Sequence, residues 1–88
     1  MRIEWELTAW EDYLYWQKTD KKILKRINEL IKQCCRTPYE GIGKPEPLRN
    51  ELAGWWSRRI DQEHRLVYKV EGVQNSQVLT IIQCQYHY

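Results

Sequence analysis

Glu46, Arg59, Arg65 and His87 are the residues whose types and settings in this chain could do chemistry. Glu46 stands between Pro45 and Pro47, which stiffen the backbone around one carboxylate, as suits a positioned general base. Arg59 and Arg65 flank a tight hairpin in WWSRRIDQEHRLVYKV. A three-residue turn, Asp61 to Glu63, pairs residue 59 with 65 and sets both guanidiniums on one face. A two-residue turn sets them on opposite faces, because a one-residue slip inverts every side chain. Two arginines directly opposite repel. A phosphate resolves that conflict, since guanidiniums match its oxygens with paired hydrogen bonds. His87 lies between Tyr86 and Tyr88, and imidazole is the side chain that changes charge near neutral pH. Each signal has a plainer reading: a solvated loop carboxylate, unconnected surface arginines, a structural histidine. Together a base, an acid, guanidiniums and aromatic platforms are the parts of a metal-free ribonuclease. No zinc signature, phosphate-cradling glycine loop or Gly-x-Ser-x-Gly elbow occurs.

Composition bounds what can hold these residues. At 88 residues the chain is read as one domain whose core has a thin margin. Five Trp and six Tyr against no Phe favour surfaces that are half apolar and half wet, interfaces and RNA-contacting faces included. No apolar window approaches a membrane span and no signal-peptide pattern opens the chain, so a cytoplasmic protein without a membrane partner is expected. An odd count of three cysteines, with Cys34 and Cys35 adjacent, reads as free thiols in a reducing compartment. These cysteines and the two histidines lack paired-ligand spacing, so neither a metal nor another cofactor is expected. The net charge of +2 says little, but its distribution says more. Residues 1–20 hold five acids and two bases, whereas 21–36 hold six bases against one acid, Glu29. That asymmetry suggests a polyanion on one side of the molecule.

The elements that must position the chemistry follow from periodicity. RIEWEL alternates Ile3, Trp5 and Leu7 with Glu4 and Glu6, the pattern of a half-buried strand. Thr8 and Glu11 form a capping box for a helix whose inward face is read as Trp10, Tyr13 and Leu14. Asp20 caps a second helix, in which Ile23, Leu24, Ile27, Leu30, Ile31 and Cys34 recur at helical spacing until Pro38 ends it. At about 100° per residue, Lys21, Lys25, Asn28, Lys32 and Arg36 form one stripe away from that face. It is either a solvated face or a rail for phosphates. RTPYEGIGKPEPLRNELAG reads as an ordered loop with one helical turn near Pro47–Asn50. WWSRRI, HRLVYKV and VLTIIQCQY read as three strands of a meander, with DQE and EGVQNSQ as the turns. The layout is an α+β layer fold: two N-terminal helices packed on one face of a mostly antiparallel sheet, whose other face stays open.

WEDYLYWQKTDKKILKRINELI, GKPEPL, GWWSRRIDQEHRLVYKV and the terminal YHY resemble the YoeB (Txe) toxins, a branch of the RelE-like family, over nearly the whole chain. The resemblance implies a microbial RNase-like (RelE-like) fold and a type II toxin–antitoxin pair. It implies cleavage of mRNA in the A site of the 70S ribosome, usually by a homodimer, and neutralisation by a YefM-like antitoxin. Operator DNA would be met only through the antitoxin complex. Carried over by position, the general base is Glu46, the general acid His87 and the transition-state arginine Arg65. Arg59, Lys44 and Arg49 would face phosphates, and Tyr88 would orient groups around the scissile one. Lys21, Lys25, Lys32 and Arg36 would then bind ribosomal RNA by a largely electrostatic attachment. Two departures stand out: Gln85 where the family pattern has an arginine before YHY, and a longer turn at EGVQNSQ.

Three other activities fit the same residues. A module that occupies the A site without cutting would leave the message intact. A plain ribonuclease would cut naked RNA. A partner that serves only operon repression would cut nothing.

Overall fold

The computed structural model describes residues 1–86. Strand β1, Arg2–Trp5, leads into helix α1, Leu7–Thr19, and helix α2, Lys21–Arg36. A two-residue strand β2, Glu46–Pro47, and a 3₁₀ turn, Asn50–Leu52, precede β3, Trp56–Arg59, β4, Arg65–Glu71, and β5, Val78–Gln83. They form a five-stranded sheet in the order β1-β5-β4-β3-β2. Only β1 runs parallel to its neighbour, β5; the remaining pairs are antiparallel.

Asp20 is the hinge between the helices. Its Oδ1 accepts the Lys22 and Ile23 amides at 3.0 and 3.1 Å, so one carboxylate closes the free N-terminus of α2. Asp20→Ala is expected to cost about 1 kcal/mol, read as a lower denaturation midpoint at unchanged slope. An unchanged midpoint would mean that the cap contributes nothing. The apolar spacing of α2 is realised as read: Ile27, Leu30, Ile31 and Cys34 are buried. They meet Leu66, Tyr68, Leu79 and Ile81 of the sheet in one core.

Helix α1 differs from its sequence reading. It starts two residues earlier than the Thr8–Glu11 box requires, with Glu6 at the N-cap and no side-chain cap. The chain stays bound to β5 up to Glu6, whose amide donates to Ile81 O, and the helix begins at once. Thr8 Oγ1 donates instead to Ile82 O at 3.4 Å. The inward line is Ala9, Asp12, Tyr13 and Trp16, while Trp10 and Leu14 are exposed. A small residue at 9 lets the helix lie close on the chain end, where Cys84 Sγ donates to Ala9 O at 3.6 Å. Asp12 can face inward because its Oδ2 accepts the Cys84 amide at 3.1 Å. β1 is an edge strand, and Ile3 and Leu7 are exposed rather than half-buried. The helical turn of the long loop falls at Asn50–Leu52, after an unforeseen strand. The last strand stops at Gln83, and Cys84–Tyr86 continue without strand structure.

Candidate active-site face

Cross-strand partners share a face of the sheet, so the register decides which side chains meet. Trp56 pairs with Tyr68 and Arg58 with Leu66, facing the helices; Ser57 pairs with Val67 and Arg59 with Arg65, facing away. Glu46 pairs with Ser57, and Gln83 with Val67. Glu46, Arg59 and Arg65 therefore stand on one face, opposite the helix layer. The hairpin achieves this with the longer of the two turns considered. Ile60 N donates to His64 O at 3.0 Å, and Asp61 Oδ1 accepts the Glu63 and His64 amides at 2.9 and 2.7 Å. Asp61 thus forms a side-chain turn that fixes the loop length and hence the register.

The two arginines sit differently. Arg59 is exposed and its backbone is held from both sides: its N donates to Gly43 O at 2.7 Å, and its O accepts Arg26 Nη2 at 3.2 Å. Arg65 is only 8% exposed, and its Nη1 donates to Asp61 O and His64 O at 2.7 and 3.0 Å. Carbonyl dipoles brace one nitrogen of the Arg65 guanidinium, so that it can lie opposite Arg59. This outer face is not uniformly open: Val67, Ser57 and Arg65 are buried on it. Glu46 lines a groove along the β2 edge with Pro47, Leu48, Arg49 and Asn50. Lys44, with φ of 51°, leads into that edge.

Arg58 was missed in the sequence, and it organises the approach to Glu46. It is fully buried on the helix side of β3. Its Nε donates to Tyr68 Oη at 3.1 Å, Nη1 to Ile42 O at 2.9 Å, and Nη2 to Thr37 O and Glu40 O at 2.5 and 3.0 Å. Tyr68 Oη donates onward to Pro38 O at 2.6 Å. Burial pushes the Tyr68 hydroxyl up to about 12, so it stays a donor. These bonds tie residues 37–42 to the sheet. At Gly43, φ is +82°, and a Cβ would come within 2.8 Å of Leu30 Cδ2. Only glycine lets the loop pass there and return as β2. Strand alternation was the available signal, because the neighbour of an outward Arg59 must point inward.

The chain end is gripped from several elements. Trp16 Nε1 donates to Cys84 O at 2.8 Å, and Arg65 N donates to Tyr86 O at 3.0 Å. His64, also missed, is buried, and its Nδ1 accepts the Tyr86 amide at 2.7 Å. Gln83 Nε2 donates to Gln85 O at 2.8 Å and to Tyr86 O at 3.2 Å. His87 and Tyr88 lie outside the described residues.

Lys21, Lys25, Lys32 and Arg36 are exposed along α2, so the stripe exists as a surface. It belongs to the helix layer, and the fold does not bring it together with Glu46, Arg59 and Arg65. Burial pushes the Cys34 thiol up to about 11 and the Cys84 thiol up to about 12, which leaves both as protonated, unreactive thiols. Burial also raises the Asp12 carboxyl, an effect the Cys84 amide partly offsets. Among the described residues no group of three or more His, Cys, Asp or Glu is gathered to hold a metal ion. Among them, too, no helix is long and apolar enough to cross a membrane.

The family model described as the YoeB-like toxin of bacterial type II toxin–antitoxin systems matches residues 5–88. The chain belongs to this family. The YoeB toxin of Escherichia coli K12 is 58% identical over 88 residues, all of both chains. The YoeB toxin of Streptomyces coelicolor is 52% identical, again over all of both. The solved YoeB/ParE toxin from Agrobacterium tumefaciens superposes with a TM-score of 0.96 at 51% identity, covering all of both chains. A YoeB chain from a Staphylococcus aureus YoeB–YefM heterotetramer does so with a TM-score of 0.88 at 49% identity, over 100% of this chain and 98% of that one. YafQ of E. coli, at 21% identity and a TM-score of 0.72, shares the fold. Two helices on a mostly antiparallel five-stranded sheet are thus the RelE-like architecture of YoeB toxins. The long turn after β4 begins beyond Glu71, about 20 Å along the strand from Arg65. It is remote from the outer-face arginines.

Proposed function

We propose that this toxin is a ribosome-dependent endoribonuclease that cuts mRNA in the A site and so halts translation. One observation carries the reading: the register sets Glu46, Arg59 and Arg65 on one face while Tyr86, bonded to Arg65, leads the chain toward His87. Glu46 takes the proton of a ribose 2′-hydroxyl, and that oxygen attacks the adjacent phosphorus. Arg65 and Arg59 take up charge on the non-bridging oxygens. His87 protonates the departing 5′-oxygen, and Tyr88 orients groups around the phosphate. Lys44 and Arg49, at either end of the β2 edge, hold neighbouring phosphates. Positioning on the ribosome supplies much of the rate.

Lys21, Lys25, Lys32 and Arg36, on the opposite layer, fit a second contact with ribosomal RNA while the outer face holds the message. S. aureus relatives are solved as a YoeB dimer and as a YoeB–YefM complex. By the same logic this chain pairs with itself and with a YefM-like antitoxin in the cytoplasm, and meets operator DNA only through that antitoxin.

The products test the chemistry. Attack by the 2′-oxygen must leave a 2′,3′-cyclic phosphate on the upstream fragment and a free 5′-hydroxyl on the downstream one. End-mapping after a short pulse of expression reads both. A 5′-phosphate would mean hydrolysis by activated water and would remove Glu46 and His87 from these roles. An intact message on stalled ribosomes would leave a binding protein rather than a nuclease.

A further inference from the structure

Tyr86 has φ of +64°, a left-handed conformation that a bulky side chain adopts only when its surroundings impose it. The surroundings here are specific. The amide of Tyr86 donates to His64 Nδ1 at 2.7 Å, and its carbonyl accepts Arg65 N at 3.0 Å. His64 cannot easily turn away. It is 6% exposed, its ring stands edge-on to Trp16 with centroids 4.8 Å apart, and its own amide is held by Asp61 Oδ1. The tautomer follows from the bond: a ring nitrogen that accepts carries no proton, so the neutral ring has its proton on Nε2. An imidazolium has donors at both nitrogens and cannot accept the Tyr86 amide.

We propose that His64 is a pH-sensitive positioning residue, whose neutral ring latches Tyr86 and thereby fixes the chain end beside Arg65. The proposal rests on the ribonuclease reading for its catalytic consequence, but the latch itself does not. Among the described residues, charged and titratable groups face the ring from several elements. Glu63 Oε1 is 3.7 Å from Nε2, Asp12 approaches from α1, Asp61 and Arg65 belong to its own hairpin, and Tyr86 packs its ring 5.6 Å away. Protonation of Nδ1 would turn the acceptor of the Tyr86 amide into a second donor, which releases the latch.

The test has a structural arm and a catalytic arm. In the wild-type protein, the Tyr86 amide resonance and the His64 ring nitrogens are followed by NMR against pH, with single-turnover cleavage on programmed ribosomes alongside. The Tyr86 amide is expected to lose its protection from exchange with the same midpoint as ring protonation. His64→Leu should slow cleavage about tenfold to a hundredfold through misplacement of the chain end, with ribosome binding kept. In His64→Asn, Oδ1 stands where Nδ1 stood and cannot be protonated. It should recover most of the rate and flatten the acid limb of the pH profile that His64 causes. A Tyr86 amide indifferent to His64 titration overturns the latch. Coupled titration with undiminished cleavage by His64→Leu overturns its positioning role. If the wild type cuts no RNA, the ribonuclease reading fails, and the NMR arm alone still decides whether the latch exists.

Discussion

Arg65→Ala and His87→Gln are each expected to slow a single turnover on programmed ribosomes by roughly a hundredfold or more. That is the size of effect that charge-stabilising donors and general acids typically supply. For Arg65 the expectation follows from its placement. It is buried beside Arg59, and Nη1 is tied to two hairpin carbonyls, so the guanidinium is preorganised. A preorganised cation stabilises developing charge without reorganising at the moment of reaction. Arg65→Lys should recover little, because a single ammonium cannot brace the hairpin and meet phosphate oxygens together. Glu46→Ala should cost less than either if positioning supplies much of the rate. Ribosome binding should survive every one of these changes, since the exposed bases of α2 lie on the other layer. Rapid-quench rates and co-sedimentation separate the two quantities. Arg65→Ala at near wild-type rate, with a normal melting curve, would remove Arg65 from the transition state.

The largest effect on stability is expected at Arg58. Arg58→Met keeps most of the buried stem but strips the Ile42 carbonyl and the Tyr68 hydroxyl of the guanidinium, and leaves Thr37 O with only the Glu40 amide and Glu40 O with only the Thr37 hydroxyl. Each buried polar group stripped of its partner costs about 1–3 kcal/mol. Partial access of water to the loop offsets some of that, so a net loss of about 3 kcal/mol or more is expected. In a domain of this size that lowers the melting temperature by something over 10 °C. Arg58→Lys should not restore it, because one ammonium cannot reach carbonyls that a planar fork meets at once. Cleavage should fall by more than the unfolded fraction explains, since residues 37–42 set the path into Gly43 and Glu46. A melting point within a few degrees of wild type would show that water replaces the guanidinium at no cost.

Much of the framework was legible because it rests on short-range rules. Asp20 two and three residues before free amides, and apolar residues at helical spacing from Ile23 to Cys34, allow few structures other than a capped helix with one buried face. Strand alternation likewise placed Arg59 and Arg65 together once the turn was three residues long. The helix face of α1 was not legible, for a physical reason. Hydrophobicity ranks Trp10 and Leu14 above Asp12, but an inward carboxylate becomes acceptable when a distant amide, Cys84, meets it. The partner is 72 residues away, beyond any local pattern. Arg58 and His64 were overlooked for the same reason. A buried cation or imidazole reads as a surface group until the carbonyls of one loop, or the amide of Tyr86, are folded against it.

By itself, then, the sequence determined the α+β layout, the capped basic helix and the family motifs that carry Glu46, Arg59, Arg65 and His87. The tertiary structure alone decided which turn length held, and so that both arginines share a face with Glu46. It also decided that the basic stripe lies on the other layer and that the chain end is held by Asp12, Trp16 and His64. Periodicity is written within a few residues of chain, whereas the partner of a buried polar group is chosen only when distant segments meet.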